Sequence, residues 1–410
     1  MKKLLLLGTL FALFVQFYSA FATENSSQTL KKEYVVLVSL DGYRHDYTDM
    51  YRPPHILQLK KEGAWSKGLR PVFPSLTFPN HYSIVTGMKA GNHGIVGNSF
   101  YDKKRQQKYS IGDSTTTRDG TWYGGEPLWI LAEKNGMVAG TFFWVGSDAN
   151  IQNRHASYYI PYDGKIPNHK RVDQVIKWLK LPESKRPHLI TLYFSDVDSA
   201  GHKYGPNSAQ TKEAVLEVDQ MIGKLRAEMK ALNLPVNLMV VSDHGMQKLD
   251  SEKVLYLSDY IDVENKQMKI VSGGAYFQIH ISDKKLLKKT RRLLSRGSSH
   301  WRVLKKKKSL RKLGRGHPER VGDIILTPKA PYYIRTSPSD RPIAGGTHGF
   351  DPARTRSMDG IFYAAGPSIK TRKLGRFKNI HIYPLVAKIL GLPLPANLDG
   401  DNRLVRKLLK

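Results

Sequence analysis

Tyr34-Val35-Val36-Leu37-Val38-Ser39-Leu40-Asp41-Gly42 is an apolar, β-branched run that ends in an acid and a glycine. A run of this length, closed by a turn signal, predicts a buried strand. Residues 189–194, 236–242, 323–327 and 360–364 read the same way. Helical stretches at 172–179 and 209–232 lie between them. Strands alternating with helices predict an α/β fold: a central, mostly parallel sheet flanked by helices on both faces, with a small inserted or capping region.

The polar residues fall where these strands end. The first run leads into Asp41-Gly42, the second into Asp196, Asp198 and His202, the third into Asp243-His244-Gly245. Open α/β sheets bind ligands beyond the carboxyl ends of their strands. A glycine-flanked histidine, Gly346-Thr347-His348-Gly349, is a fourth candidate. Alone, Asp-Gly is an ordinary turn, and a single histidine is an ordinary structural residue. Together these positions gather carboxylates and imidazoles, donors that suit zinc. Two such ions about 4 Å apart can hold both the attacking and the leaving oxygen of a displacement at phosphorus. The chain has no cysteine, so thiolate ligands, disulfides and a cysteine nucleophile are excluded.

Phe73-Pro74-Ser75-Leu76-Thr77-Phe78-Pro79-Asn80-His81 precedes a helix expected to run to about Thr86 and stop at Gly87. Thr77 then stands at the helix N-terminus, where the macrodipole and a metal would stabilise an alkoxide. The plainer role for a threonine there is to cap the helix.

These residues carry a resemblance. Asp41-Gly42-Tyr43-Arg44, Val72 to Tyr82, His93-Gly94-Ile95-Val96-Gly97-Asn98, Gly125-Glu126-Pro127-Leu128-Trp129, Asp198-Ser199-Ala200-Gly201-His202, Ser242-Asp243-His244-Gly245-Met246 and Thr347-His348-Gly349 occur in one order. In that order the chain resembles the nucleotide pyrophosphatase/phosphodiesterases of the alkaline phosphatase superfamily. The resemblance implies two zinc ions. One would take Asp198, His202 and His348, the other Asp41, Asp243, His244 and the oxygen of Thr77. It implies that Thr77 attacks phosphorus to give a phospho-threonine intermediate that water then hydrolyses. It gives Asn98 a hydrogen bond to a phosphate oxygen, shared with a backbone N–H near Thr77. Phe78 and Tyr193 fall where nucleotide-hydrolysing members stack the base. The expected reaction is hydrolysis of nucleotide 5′-phosphodiester and pyrophosphate bonds, releasing nucleoside 5′-monophosphate. Lysophospholipid or choline-phosphate diesters, taken by other members, are the competing substrates. Residues 195–197 read Ser-Asp-Val, where many members have an acid and a proline, and this leaves Asp196 near the site without a role. No arginine accompanies Thr77, which favours diesters over monoesters, and sulfatases need a modifiable cysteine or serine.

At the N-terminus, Lys2-Lys3, an apolar run to about Phe17, and Ala20-x-Ala22 read as a secretory signal peptide over residues 1–22 rather than a membrane anchor. The expected protein is secreted or periplasmic, with no transmembrane segment after cleavage. Residues 31–403 read as the alkaline-phosphatase-like catalytic domain. Net charge is +30, and residues 284–320 hold 16 Lys/Arg against one acid, Glu319. That basic insert favours polyanionic partners, although no obligate nucleic acid partner is expected. Charge alone would also fit a basic nucleic-acid- or membrane-binding protein, a reading that leaves the motifs unused. Residues 286–294 have the pattern of an amphipathic helix, whereas 297–316 show no firm period.

Overall fold

The computed structural model describes residues 33–340 and 342–410; the expected signal peptide lies outside them. In chain order the strands of the two larger sheets are β1 (Tyr34–Leu40), β2 (Ala64–Ser66), β3 (Ala139–Phe142), β4 (Tyr158–Ile160), β5 (Leu189–Phe194), β6 (Val236–Val241), β7 (Met268–Ser272), β8 (Phe277–Ile281), β9 (Trp301–Lys305), β10 (Ile324–Pro328), β11 (Phe362–Ala365) and β12 (Lys373–Leu374). The main sheet has eight strands in the order β12-β2-β11-β6-β1-β5-β3-β4. β1 pairs in parallel with β5 and β6, and β3 in parallel with β5 and β4. β11 runs against both β6 and β2, while β12 runs with β2. One strand of the eight is therefore reversed, and the sheet is mostly parallel as expected.

Every side chain of β1 is buried. This is why the strand reads as an unbroken apolar run and does not alternate with polar residues. Successive residues still point to opposite faces, and this divides the core. Val36, Val38 and Leu40 pack with helices α1 (Pro54–Glu62), α4 (Asn168–Leu179) and α6 (Ala209–Ala231). Val35 and Leu37 pack with α2 (Thr77–Thr86), α3 (Leu128–Lys134) and α9 (Ile382–Ile389). Each such burial contributes about 1.5–3 kcal/mol before chain entropy is subtracted. The strand ends that carry the polar residues thus project from the buried central layer of the fold. Among the described residues no helix is long and apolar enough to cross a membrane.

The second sheet is antiparallel, in the order β7-β8-β10-β9. Residues 323–327 do form a strand, but it is β10 of this small sheet. An apolar run records that a strand is buried and says nothing of its partner. α7 (Lys284–Gly297) lays Thr290 and Leu294 on one face, with Leu286 and Leu287 packed beside them. Residues 297–316, which lack a period, form β9 and α8 (Lys306–Leu313). Their Leu304 and Leu313 enter the same core as α2, so the basic block is packed into the molecule on that side.

Candidate active site

Three strand ends meet as the sequence implies. Asp41 leaves β1, Asp243 and His244 leave β6, and β5 feeds α5 (Asp196–Tyr204), which carries Asp198 and His202 one turn apart. His348 follows the short strand Gly346–Thr347, which pairs with Gln247–Lys248 just beyond His244. That pairing ties the two histidine loops together. Gly42 has φ +68°, and a Cβ there would stand 2.8 Å from the Cα of Asp198. Only glycine allows this turn and this approach.

Thr77 is the first residue of α2, and Leu76 occupies the N-cap. The threonine hydroxyl is therefore not spent on capping; its Oγ1 lies 3.2 Å from His244 Nε2. Around it, ligand atoms gather in three overlapping groups that could hold a metal ion: Asp198 with His202 and His348; Asp41 with Asp198 and His244; Asp41 with His81 and Asp243.

The chemistry of these atoms fits cations. His202 Nδ1 lies 2.9 Å from the Gly346 carbonyl, His348 Nδ1 2.9 Å from that of Ser75, and His244 Nδ1 3.0 Å from that of Gly245. A carbonyl only accepts, so each Nδ1 carries a proton and each ring turns its Nε2 inward, where the neutral form offers a lone pair. The Nε2 atoms of His202 and His348 are 3.0 Å apart, a separation at which two lone pairs repel unless a cation is shared. Asp41 Oδ1, Asp198 Oδ1 and Asp243 Oδ2 are buried and receive no hydrogen bond. Burial, with Asp243 and Asp198 nearby, raises the Asp41 carboxyl well above its usual range, and burial raises Asp198. Burial would raise Asp243 as well, but His244 and His81 override it and hold that carboxylate well below. Burial and the adjacent His244 and His202 hold His348 neutral. A cation held there would offset the charge of the crowded carboxylates and accept the inward lone pairs.

A cleft of about 370 Å³ opens over Asp41, Thr77 and Asp198. Phe78 and Tyr193 both line it, in different ways. Tyr193 is only 9% exposed, and its hydroxyl donates to Asp41 Oδ2 at 2.7 Å. Asn98 accepts the Phe78 N–H at 3.0 Å through Oδ1, which leaves its amide NH₂ as the free donor end. Asp196 turns from the cleft and accepts from Asn168 Nδ2 at 2.8 Å, tying α5 to α4. Arg44 pairs with Asp46 and Asn207, a structural role.

Sequence reasoning gave two residues of this site no part. His81 Nδ1 lies 3.2 Å from Asp243 Oδ2, and its Nε2 is 2.9 Å from Ser39 Oγ. It stands four residues after Thr77, so the helical spacing was the available signal. Tyr162 lines the cleft at 53% exposure, with its ring 6.4 Å from that of Tyr193. It comes from a loop whose sequence has no motif to mark it.

A profile of the type I phosphodiesterase / nucleotide pyrophosphatase family matches residues 35–351. The chain belongs to that family. Human ectonucleotide pyrophosphatase/phosphodiesterase family member 1 is 36% identical over 390 residues, which cover 92% of this chain and 42% of the human protein. The venom phosphodiesterase of Naja atra is 33% identical over 387 residues, covering 92% and 46%. The chain thus spans less than half the length of these relatives. Among solved structures, an inactive threonine-to-alanine variant of murine ectonucleotide pyrophosphatase/phosphodiesterase 5 in complex with AMP superposes with a TM-score of 0.86 at 28% identity, covering 92% of this chain and 100% of that one. The alkaline-phosphatase-like fold expected from the motifs is the fold of this family member.

Proposed function

We propose that this phosphodiesterase hydrolyses nucleotide 5′-phosphodiester and pyrophosphate bonds, with Thr77 as nucleophile and two zinc ions in the Asp/His groups. The observation that carries this reading is the place of Thr77. It heads α2, beside His244, at the floor of an aromatic-lined cleft. Asp198, His202 and His348 would hold one ion; Asp41, Asp243 and His244 the other. Bound there, the ions would supply positive charge to the phosphoryl oxygens.

The chain's own residues do the rest. The positive end of α2 favours the Thr77 alkoxide. Thr77 Oγ1 forms the bond to phosphorus as the bond to the leaving oxygen breaks, giving a threonine ester of the nucleoside 5′-phosphate. Water then cleaves that ester and releases the monophosphate. The Asn98 amide NH₂ donates to a non-bridging oxygen, stabilising the charge that develops there. Phe78 and Tyr193, with Tyr162 at the rim, give the base an aromatic surface. The AMP held by the murine relative supports a nucleotide substrate. The apolar leader and the kinship with venom phosphodiesterases support a secreted or periplasmic site of action.

The test is a rate comparison, with zinc present at mildly alkaline pH, on nitrophenyl esters of a nucleoside 5′-monophosphate, of phosphorylcholine and of phosphate. The nucleotide diester is expected to be cleaved fastest. Preference for the choline ester would move the substrate to a phospholipid-type diester, and preference for the monoester would overturn the reaction class.

A further inference from the structure

The basic block has two populations of cations. Those facing inward are paired: Arg320 with Asp102 at 2.9 Å, Lys312 with Asp351 at 2.5 Å, Lys306 with Asp323 at 4.0 Å. Those facing outward on α7 are not. Lys284, Lys285, Lys288, Lys289, Arg292 and Arg296 are all exposed. Among the described residues none of the six lies within ion-pair distance of a carboxylate, and the helix holds seven Lys/Arg and no acid. Like charges recur at i, i+4 along its outer face, a spacing that weakens a helix unless an anion covers it.

We propose that α7 is a docking surface for bilayers rich in anionic phospholipid headgroups. The charge is complementary, and clusters of four to eight Lys/Arg on an amphipathic helix match the recognition of anionic lipid. The apolar face of α7 is already committed to the small sheet through Thr290 and Leu294. The contact is therefore electrostatic and peripheral, with Leu293, 38% exposed between Arg292 and Arg296, as the one apolar point facing out. A single-stranded nucleic acid would be met by aromatic rings on which bases stack. α7 contains no aromatic residue. α7 packs on the face of the small sheet that carries Trp301 of β9, whose Nε1 donates to the Leu294 carbonyl at 2.8 Å, whereas Leu304 of β9 and Leu313 of α8 enter the core shared with α2. No residue of α7 lines the cleft over Thr77.

Co-sedimentation of the whole protein with phosphatidylcholine vesicles, with and without one third phosphatidylglycerol, tests this. Binding is expected only with the anionic lipid, and half-molar salt should abolish it. The K284Q/K285Q/K288Q/K289Q/R292Q/R296Q variant should bind at least tenfold less while its kcat/KM on a soluble nitrophenyl ester stays unchanged. The milder K284Q/K288Q pair should fall between the two, and it serves if the larger substitution does not fold. Equal vesicle binding by wild type and variant would overturn the proposal. So would tighter binding of a 20-nucleotide single strand than of the anionic vesicles at the same ionic strength, which would assign the surface to nucleic acid.

Discussion

The catalytic edge of the main sheet and the outer helix of the small sheet treat charge in opposite ways. At the sheet edge, Asp41, Asp243 and His244 are buried and turned toward one another. On α7, six cations face solvent and form no ion pair among the described residues. In a buried cluster a mismatch of charge is severe, because little water screens it. On an exposed helix the same mismatch is mild and salt removes it. Position, more than charge count, decides how strongly each region is committed to a partner.

The sharpest way to break this contrast is at Thr77. Thr77→Ala removes the proposed nucleophile and no charge, so turnover should fall by at least ~10³-fold while thermal stability and metal content stay near wild type. A large loss of bound metal in that variant would make Thr77 chiefly a ligand. The next effect is on stability and comes from histidines buried away from the candidate metal groups. Burial holds His93 to about 3 and His280 to about 4. Both rings stay neutral in the fold while the unfolded chain takes up protons below about 6.5. Stability is therefore complete above that pH and is lost as pH falls toward 4, by on the order of 3 kcal/mol for His93 alone. Melting curves that do not shift between pH 7 and pH 4.5 would contradict the burial of these rings.

Smaller effects separate the cleft from the helix. Phe78→Ala should raise KM for the nucleotide ester roughly tenfold, as expected when one stacking partner is lost, and leave a base-free diester nearly unaffected. Equal losses on both would remove Phe78 from base recognition. Lys288→Glu replaces two like-charge spacings, to Lys284 and Arg292, by opposite ones. It should stabilise the protein by about 0.5–1 kcal/mol at low salt, fading at high salt. A destabilised variant would mean that Lys288 has an anionic partner within the fold.

Much of this was legible in the chain itself. β1, β5 and β6 are buried on both faces, so their apolar runs stand out, and the acids just beyond them mark the site. The small sheet was not legible as a sheet. Antiparallel pairing joins β10 to β8 and β9 across long intervals, and no local pattern records that. β9 and α8 were hidden by six cation-bearing positions, 305–308 and 311–312, broken only by Ser309 and Leu310, which flatten any apolar period. In the site, His81 was concealed by its own motif, where Thr77 drew the attention. The second tyrosine of the cleft, Tyr162, depends on a loop that brings it over Tyr193, and loop paths are the least determined by local sequence.

The contact between Gly42 and Asp198 makes the backbone act as a calliper. Because main chain rests on main chain there, the gap between the two groups of candidate ligands is gauged by bare peptide and cannot adjust by a change of rotamer. A single methyl at residue 42 would delete no candidate ligand, yet it would open the jaws. The protein would keep every chemical part and lose the interval that separates them.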